Sequence, residues 1–568
     1  MSRMILAARH GAGAFGPGDL AASGAAQPRN RFGYMFPCAW EVPADRHAGE
    51  KLDALAATMS DDVLEETVQA SALPPILTYF GQFIDHDVAA LAEADADVGW
   101  IEAEPLGRRP REAVEVGLAN LRRGALRLDS LYGGEAGDGA AARLAAVMRE
   151  GPRMRLGRAS PVAPGRGMRP PYPADAGADL PRIGSLLEAG LLTQAEVEDL
   201  LRAEPTAPGL QPSLLGRRAL IGDARNDTNL ILSQLHLAWL RFHNAVVDRL
   251  AEIWGLDARP GALFEAARRE VRWTFQWLVV NEFLPNVCDA GVLEEVLGAE
   301  APLYAAFRAR ISESGSGGDL PVPLEFAMAA FRFGHSMVRA SYDFNRNFGR
   351  PQPGNCRASL AELMELSGRG EMALDGHPGL PDCWLIEWNR FVSDVPAHED
   401  RLARGIDSRL SPPLFELTGE PPGLFQRLAE RNLRRGYALN LPSAQAVIAE
   451  LACAGIAIRP LGRGELGAGG SCEAIEATGF DTETPLWFYI LKEAELRAGG
   501  GNLGPLGSRI VAETLAGLVI QDRDSYWHAA GSDPAGRWTP RDGVEPAGEP
   551  VTSLAALLRA AGLLGAAD

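Results

Sequence analysis

The sequence predicts a mainly α-helical protein, built as a single large helical domain with long irregular loops. Apolar residues recur at three- and four-residue steps over several long stretches, whereas alternating strand patterns are scarce. Of the 568 residues, 46% are hydrophobic and 23% are charged, as in ordinary globular proteins. This length corresponds to roughly three or four average domains. Helices of the same character nevertheless lie on both sides of the breaker-rich stretches, which favours surface loops over domain linkers.

The helical prediction rests on particular stretches of the chain. In chain order they are 77–91, 230–255, 261–284, 324–344, 442–455 and 506–522. The second opens after four polar residues, Asn226 to Asn229, which is typical of a helix start. The stretches rich in glycine and other breakers are predicted to be surface loops, at 133–185, 312–319 and 462–471. We place an N-terminal extension at 1–30, the main domain at 31–530, and a C-terminal tail with a short apolar helix at 531–568.

Charge and cysteine content exclude several classes of protein. The 74 acidic residues outnumber 55 basic ones, and the net charge of −19 argues against a nucleic-acid partner. The six cysteines form no Cys-x-x-Cys pair, which disfavours disulfide scaffolds, zinc ribbons and c-type cytochromes. The first apolar run is shorter than a secretory signal, and no stretch is long enough to span a membrane. We therefore expect a cytoplasmic protein, with non-classical export left open.

The stretch 77–91 carries the first candidate site residues. As a helix it places Gln82, Asp85 and His86 on one face, since they are three and four positions apart. Asp87 is then turned roughly 100° away from His86. A histidine, a carboxylate and an amide are costly to bury among apolar neighbours without a purpose. For this stretch alone, a satisfied core histidine with a capping carboxylate remains an alternative.

Three further segments carry polar residues that are candidates for a functional site. They are Arg225 in the turn before the 230–255 helix, Arg332 and His335 on one helical face, and Asn432 and Arg435 on another. Each has a structural alternative when taken alone. Arg225 could pair with Asp223 or Asp227, and His335 could be a core residue.

Taken in order, these motifs resemble the animal-type heme peroxidases of the peroxidase–cyclooxygenase superfamily, and most of all their bacterial members. The resemblance covers nearly the whole chain, and each motif is long. The matching stretches are RFGYMFP (31–37), YFGQFIDHD (79–87), DLPR (179–182), the helix from RNDTN (225–229) to HNAVVD (243–248), AFRFGHS (330–336), IDSRLSPPLFEL (406–417), RNLRRG (431–436), PLWFYILKEAE (485–495) and SRIVAETLAGL (508–518). The resemblance implies a helical heme-peroxidase domain that holds heme b between its central helices.

By position, the resemblance implies that His86 is the distal histidine and Arg225 the distal arginine. Bound peroxide must lose a proton from one oxygen and gain one on the other, and a neutral imidazole can do both. Negative charge grows on the leaving oxygen, where a guanidinium stabilises it. We group Gln82, on the same helical face as His86, with these catalytic residues.

On the other side of the heme, the resemblance implies that His335 is the iron ligand. Asn432 is then expected to accept the second ring N–H of His335 and so to orient the ring. Arg332 and Arg435 resemble the arginines that hold the heme propionates, a task suited to their forked donors.

Three functions follow from the resemblance. The one we favour is a peroxidase that reduces hydrogen peroxide and oxidises halides, pseudohalides or small phenolic donors. The second is a fatty-acid oxygenase, whose radical tyrosine lies three residues before the proximal histidine. This chain has Arg332 there, and no tyrosine stands nearby in the preceding sequence. The third, an inactive heme-binding structural protein, is disfavoured because His86, Arg225 and His335 are all retained. Neither the physiological donor nor the oligomeric state is predicted.

The resemblance also bears on how the heme is attached. Mammalian members hold it through two ester links, and Asp85 matches one of the two carboxylates. Thr228 and Asn229 stand where a second ester or a sulfonium bond would form, so at most one link is predicted. A less strained heme should have a lower potential, which favours iodide, bromide, thiocyanate or phenols over chloride as donors.

Calcium is a further cofactor of the family. It would be held by Asp87 and by the loop 126–134, where Asp129 offers an oxygen. Arg127 stands where another carboxylate is usual, although calcium requires six to eight oxygen ligands. The alternative is that Arg127 pairs with Asp87 and replaces the ion.

Overall fold

The computed structural model describes residues 30–60, 70–90, 101–134, 140–161, 168–172, 177–197, 216–255, 258–313, 320–351, 356–368, 379–393, 398–417 and 423–565. Helices dominate these ranges and the strands are short, so the predicted mainly helical fold is confirmed. None of the helices in these ranges is long and apolar enough to cross a membrane. The extension predicted at 1–30 lies outside them, apart from its last residue.

Seven of the longer helices form or flank the candidate site. They are α1 (Ala48–Ala57), α2 (Ile76–Val88), α3 (Leu230–Trp254), α4 (Pro260–Leu278), α5 (Leu428–Ala438), α6 (Leu486–Ala498) and α7 (Pro505–Ile520). The remaining α-helices of the described residues are Arg111–Gly117, Asp129–Tyr132, Ala140–Val147, Ile183–Glu188, Leu284–Val287, Ala290–Gly298, Pro302–Glu313, Leu324–Met328, Leu360–Glu365, Pro412–Phe415, Ala444–Cys453, Arg463–Leu466, Cys472–Thr478 and Leu554–Ala560.

Seven short strands form three small sheets in the described residues. Their strands are β1 (Asn30–Gly33), β2 (Ala119–Asn120), β3 (Arg149–Glu150), β4 (Arg153–Met154), β5 (Val322–Pro323), β6 (Ser341–Tyr342) and β7 (Ala358–Ser359). β1 lies between antiparallel β2 and parallel β5, with Phe32 opposite Val322. The β3–β4 hairpin falls within the predicted loop 133–185, so that stretch is more structured than its composition suggested.

Helix α3 forms the centre of the core. The Asn229 side chain accepts a hydrogen bond from the Ile231 N–H at 2.9 Å and so caps its N-terminus. Trp239 is fully buried and stacks on Phe83 of α2, with ring centroids 5.9 Å apart. From Leu230 to Val247 the helix is buried on nearly all sides, which is more than the three- and four-residue spacing of its apolar residues predicted.

The predicted helix 261–284 is interrupted near its end. Regular helix α4 gives way at Val279–Phe283 to one wider π-type turn before the short helix Leu284–Val287. The turn carries Phe283 against α2, where a Cβ on Gly81 would lie 3.2 Å from the Phe283 ring. Glycine at position 81 thus permits α2 to approach this turn closely.

The prediction of one continuous helix over 324–344 is wrong. The helix Leu324–Met328 ends at Ala329, whose φ and ψ of −135° and −74° are not helical, and a 3₁₀ segment, Ala330–His335, follows. The Nε of Arg332 donates to the Ala327 carbonyl at 3.1 Å, which supplies a partner near the broken helix end. Arg332 and His335 still share one face, because residues three apart eclipse each other in a 3₁₀ helix.

The C-terminal tail packs against the main domain. Its helix Leu554–Ala560 lies against α3, with Leu557 and Leu558 fully buried. Glu282 accepts the N–H of Leu554 at 2.8 Å. Arg241 Nε, from α3, donates to the Ala561 carbonyl at 2.8 Å. The predicted apolar helix of the tail therefore belongs to the same core.

Candidate functional site

One cavity collects most of the residues predicted for the site. It encloses about 1400 Å³, including its open mouth, between α2, the turn 225–229 and the 3₁₀ segment Ala330–His335. The predicted site residues in its wall are Gln82, Asp85, His86, Arg225, Arg332 and His335. Asn432, Arg435, Asp87 and Asp129 are placed outside this wall. Two stretches more than 240 positions apart thus contribute the two histidines to one cavity.

Arg225 is held at the C-terminus of α2. Its Nη2 and Nη1 donate to the carbonyls of His86 and Ala89, each at 2.9 Å. Arg122 Nε also donates to the His86 carbonyl, at 3.1 Å. These cations satisfy carbonyls that the end of a helix leaves free, where the helix dipole favours positive charge.

Asp223 binds both of these arginines. Its carboxylate accepts from Arg225 Nε at 3.1 Å and Nη2 at 2.7 Å, and it forms a fully buried ion pair with Arg122. Burial alone would raise the pKa of Asp223, but the two guanidinium groups hold it well below its usual range. The neighbouring Gly222 lies so close to the loop 129–133 that a Cβ would fall 2.5 Å from the Gly133 nitrogen.

One N–H of Arg225 still points to no described protein acceptor. A guanidinium carries five N–H groups, and the four hydrogen bonds to Asp223, His86 and Ala89 use all but one, on Nη1. Because Arg225 lines the cavity, that donor can serve a bound ligand. The pairing with Asp223 therefore positions the guanidinium and leaves one of its N–H groups available.

His86 belongs to a buried chain of three polar side chains. Its Nδ1 lies 2.8 Å from Asn226 Oδ1, and the Asn226 Nδ2 lies 3.0 Å from His236 Nδ1. An amide oxygen can only accept, so the Nδ1 of His86 carries the proton and Nε2 is left as a base. Burial, together with the charge of Arg225, lowers the pKa of His86 to about 3. The imidazole is therefore neutral at physiological pH.

His335 has a different environment. Its ring lies edge-on to the Trp487 indole, with centroids 6.5 Å apart, and the Trp487 N–H donates to the Arg332 carbonyl at 3.2 Å. Burial and the nearby cations Arg332 and Arg431 lower the pKa of His335 to about 3. A neutral imidazole is the form that binds a metal ion.

Asn432 was predicted to accept the ring N–H of His335. In the structure the Oδ1 of Asn432 accepts a hydrogen bond from Nη1 of Arg332. Asn432 and Arg435 do share the buried face of α5, as predicted, but Arg435 does not line the cavity. Arg332, expected at a heme propionate, therefore faces both the cavity and α5.

The residues relevant to covalent attachment lie in or beside the cavity. Burial raises the pKa of Asp85, against the lowering influence of Arg225 and Arg332. The Thr228 hydroxyl donates to the Arg225 carbonyl at 2.9 Å, and the Asn229 amide oxygen caps α3. Both side chains thus have structural partners of their own.

Asp87 and Asp129 lie together on the far side of α2 from the cavity. Asp87 accepts the N–H groups of Leu128 and Ser130, each at 2.9 Å. Burial and the neighbouring Asp129 raise the pKa of Asp87 to about 6. Arg123 donates hydrogen bonds to both carboxylate oxygens of Asp129, at 2.8 and 2.9 Å.

These contacts do not fit a calcium ion. Calcium requires six to eight oxygen ligands, and in the part of the chain that the structure describes no cluster of three or more acidic, histidine or cysteine side chains could hold a metal. The pairing of Arg127 with Asp87, expected in place of the ion, is wrong. Arg127 pairs with Asp522 at 2.8 Å, not with Asp87, and the nearby guanidinium belongs to Arg123, on Asp129.

Sequence reasoning missed several residues around the cavity. Asn226, His236 and Arg122 carry no local signal, because their partners lie 10 to 140 positions away in the chain. Tyr79 was also missed. It lines the cavity from α2, and its hydroxyl donates to that of Tyr342 at 2.9 Å, although no tyrosine stands near His335 in the preceding sequence.

Part of the chain matches the model of a known family. Residues 186–366 match the family model described as Animal haem peroxidase, a range that includes Arg225 and His335. A peroxidase-like protein from Margaritifera margaritifera is 27% identical over 434 residues, which cover 74% of this chain and 49% of the relative. Human dual oxidase 2 is 26% identical over 54% of this chain and 18% of its own length. The chain thus spans half or less of these curated relatives.

The fold has solved counterparts. Peroxidase A from Dictyostelium discoideum is similar over 98% of this chain and 96% of its own, with a TM-score of 0.52 and 15% sequence identity. An Oryza sativa fatty acid alpha-dioxygenase covers 85% of this chain and 74% of its own, with a TM-score of 0.48 and 12% identity. At such identities the first likeness concerns the fold alone, and the second carries no argument.

Proposed function

We propose that this chain, whose residues 186–366 match the Animal haem peroxidase family model, is a heme-dependent peroxidase that reduces hydrogen peroxide and oxidises small anions or phenolic donors. The observation that carries this proposal is the convergence of His86, Arg225 and His335 on one cavity. A proton carrier, a fixed cation and a neutral imidazole are the groups that peroxide cleavage at a heme requires.

The residues present fit a heme. The wall of the cavity carries both histidines and both arginines, and the neutral ring of His335 would hold the iron. Arg332, in the same wall, would bind a propionate through its forked donors. Arg435, buried nearby on α5, is proposed for the same task. When bound, the heme would supply the iron that binds peroxide and accepts its oxidising equivalents.

The polar side chains of the cavity would then transfer the proton of the peroxide and stabilise the negative charge that forms as it is cleaved. The free Nε2 of His86 would accept a proton from one oxygen of a bound peroxide and donate it to the other. Asn226 keeps this nitrogen unprotonated beforehand, because it occupies the Nδ1 proton. The remaining N–H of Arg225 stabilises the negative charge that grows on the leaving oxygen. Gln82 lies on the same face and is proposed to orient the peroxide.

Variants of the two histidines test this function. His335→Ala should lose heme or its activity, whereas His86→Ala should retain heme and its Soret band but fail to respond to peroxide. Arg225→Gln should slow the peroxide response by about 10²–10³-fold. His528→Ala, outside the cavity, is the control and should behave as the native protein. An unchanged peroxide response in His86→Ala would refute the assigned role.

The donors are expected to be those that are oxidised easily. With at most one link, through Asp85, the heme should have a lower potential than in relatives with two links. Iodide, bromide, thiocyanate or phenols should then be oxidised far better than chloride, as initial rates with each donor would measure.

A fatty-acid oxygenase remains the second candidate function. Tyr79 lies in the cavity wall, so a phenol is present, although the position three residues before His335 is Arg332. Formation of lipid hydroperoxide from a free fatty acid and oxygen, lost in Tyr79→Phe, would favour this alternative. We favour the peroxidase because the position three residues before His335 holds an arginine in place of the radical tyrosine.

A further inference from the structure

A second cavity lies behind the His335 side of the first. It encloses about 1100 Å³, including its mouth, between α1, α5 and the start of α6. Met328 lines both cavities. Asn432 and Trp487 line the second, and both contact Arg332, which lines the first. Only a thin layer of side chains therefore separates the two spaces.

The second cavity has a buried floor, which is apolar except for one amide, and a charged rim. Asn432 and Trp487 are each 2% exposed, and Leu486 lies beside them. Asp45 and Lys51 at the rim are about one third exposed and pair with each other at 2.7 Å. Because that pair is neutral as a whole, Glu483 leaves the rim with one net negative charge.

Two polar atoms in the lining are buried and lack a protein partner within the described residues. One is the Nδ2 of Asn432, and the other is the Oε2 of Glu483. The amide of Asn432 cannot be turned around, because its oxygen faces the Arg332 guanidinium. The other carboxylate oxygen of Glu483 accepts the Trp40 N–H at 2.7 Å. A buried donor and a buried acceptor without partners cost free energy unless a ligand satisfies them.

We propose that this cavity binds a small hydroxyphenyl-alkylamine, separately from the heme cavity. The phenolic oxygen would accept from Asn432 Nδ2, and the ammonium group would bind Glu483 Oε2. The aromatic ring would lie among Tyr437, Phe480 and Trp487, which favour an aromatic and cationic guest. A carboxylate in place of the amine would meet the net negative rim and bind poorly.

A ligand in the second cavity should perturb the residues that line the first. Asn432 holds Arg332 through its oxygen, and Trp487 lies edge-on to the His335 ring. A guest that takes a hydrogen bond from Asn432 and packs on Trp487 therefore acts on two groups next to the proposed iron ligand. Binding should perturb the Soret band without displacing a ligand from the iron.

Calorimetric titration of the heme-loaded protein with tyramine tests the proposal, because the heme then fills its own cavity. We expect one saturable site. Gly436→Leu should weaken binding more than tenfold, since a leucine at this lining position of α5 enters the cavity, while its Cβ meets only Leu441 at 3.5 Å. Glu483→Gln should weaken binding roughly fivefold. Gly261→Leu, on an open face of α4, is the matched control and should bind as the native protein.

Two ligand controls complete the test. Phenethylamine, which lacks the hydroxyl, and 3-(4-hydroxyphenyl)propionate, which replaces the amine, should both bind more weakly than tyramine. Absence of saturable binding to the native protein would overturn the proposal, as would equal affinity in Gly436→Leu. If Gly436→Leu fails to fold, unchanged affinity in Glu483→Gln overturns it instead. Binding is measured without peroxide, so these outcomes do not depend on the proposed peroxidase activity.

Discussion

Replacing Asn226 by aspartate should move the pH dependence of the peroxide response while leaving His86 in place. In the native protein the pKa of His86 is about 3, so the response should show no acid limb above roughly pH 4. In Asn226→Asp a carboxylate replaces the amide oxygen 2.8 Å from His86 Nδ1. An opposite charge at such range raises a histidine pKa by about 1–3 units, which places the new acid limb between about pH 4 and 6.

Stopped-flow measurement of the Soret change with peroxide, from pH 4 to 8, would test this shift. Asn229→Asp is the matched control, because it adds the same charge to the cavity wall and retains the cap on α3 without bonding to His86. The acid limb should move clearly less in this control. A native profile in Asn226→Asp, or an equal shift in Asn229→Asp, would refute the role given to Asn226.

Three further outcomes are expected. Mass spectrometry of the denatured, peroxide-treated protein should find free heme or a single link, which Asp85→Asn abolishes; two links would contradict the account of Thr228. Extensively dialysed protein should hold far less than one calcium per chain, because Arg123 already occupies Asp129; near one equivalent would overturn this. Glu282→Gln should raise the free energy of unfolding by roughly 3 kcal/mol at pH 8, because burial raises the pKa of Glu282 from its ordinary value of 4.5 to about 7 and makes its ionised form costly. The gain should shrink as pH falls from 7 to 4.5, so an equal gain at pH 4.5 by thermal denaturation would contradict the assignment.

Periodicity predicted the positions of the long buried helices. The stretch 230–255 is the clearest case, since its apolar residues and polar start correspond to α3 and its Asn229 cap. The same reasoning failed at 324–344. There the apolar pattern continues, but Arg332 contacts α5 and Ser341 and Tyr342 pair with β7, and these tertiary contacts break the helix. Local pattern predicts local structure only where no distant partner competes.

The site was predicted as a set of residues rather than as a set of contacts. The shared face of Gln82, Asp85 and His86 follows from helical spacing, and all three line the cavity. Which arginine binds which carboxylate could not be predicted, because it depends on segments far apart in the chain. Arg127, for example, pairs with Asp522, 395 positions away.

The packing of the tail helix on α3 has a consequence for biosynthesis. Arg241 and the Ala561 carbonyl that it binds are 320 positions apart. At translation rates of roughly 5–20 residues per second, α3 would wait on the order of 15–60 s before its covering helix is made. During that time the surface later covered by Leu557 and Leu558 is open to solvent on the ribosome.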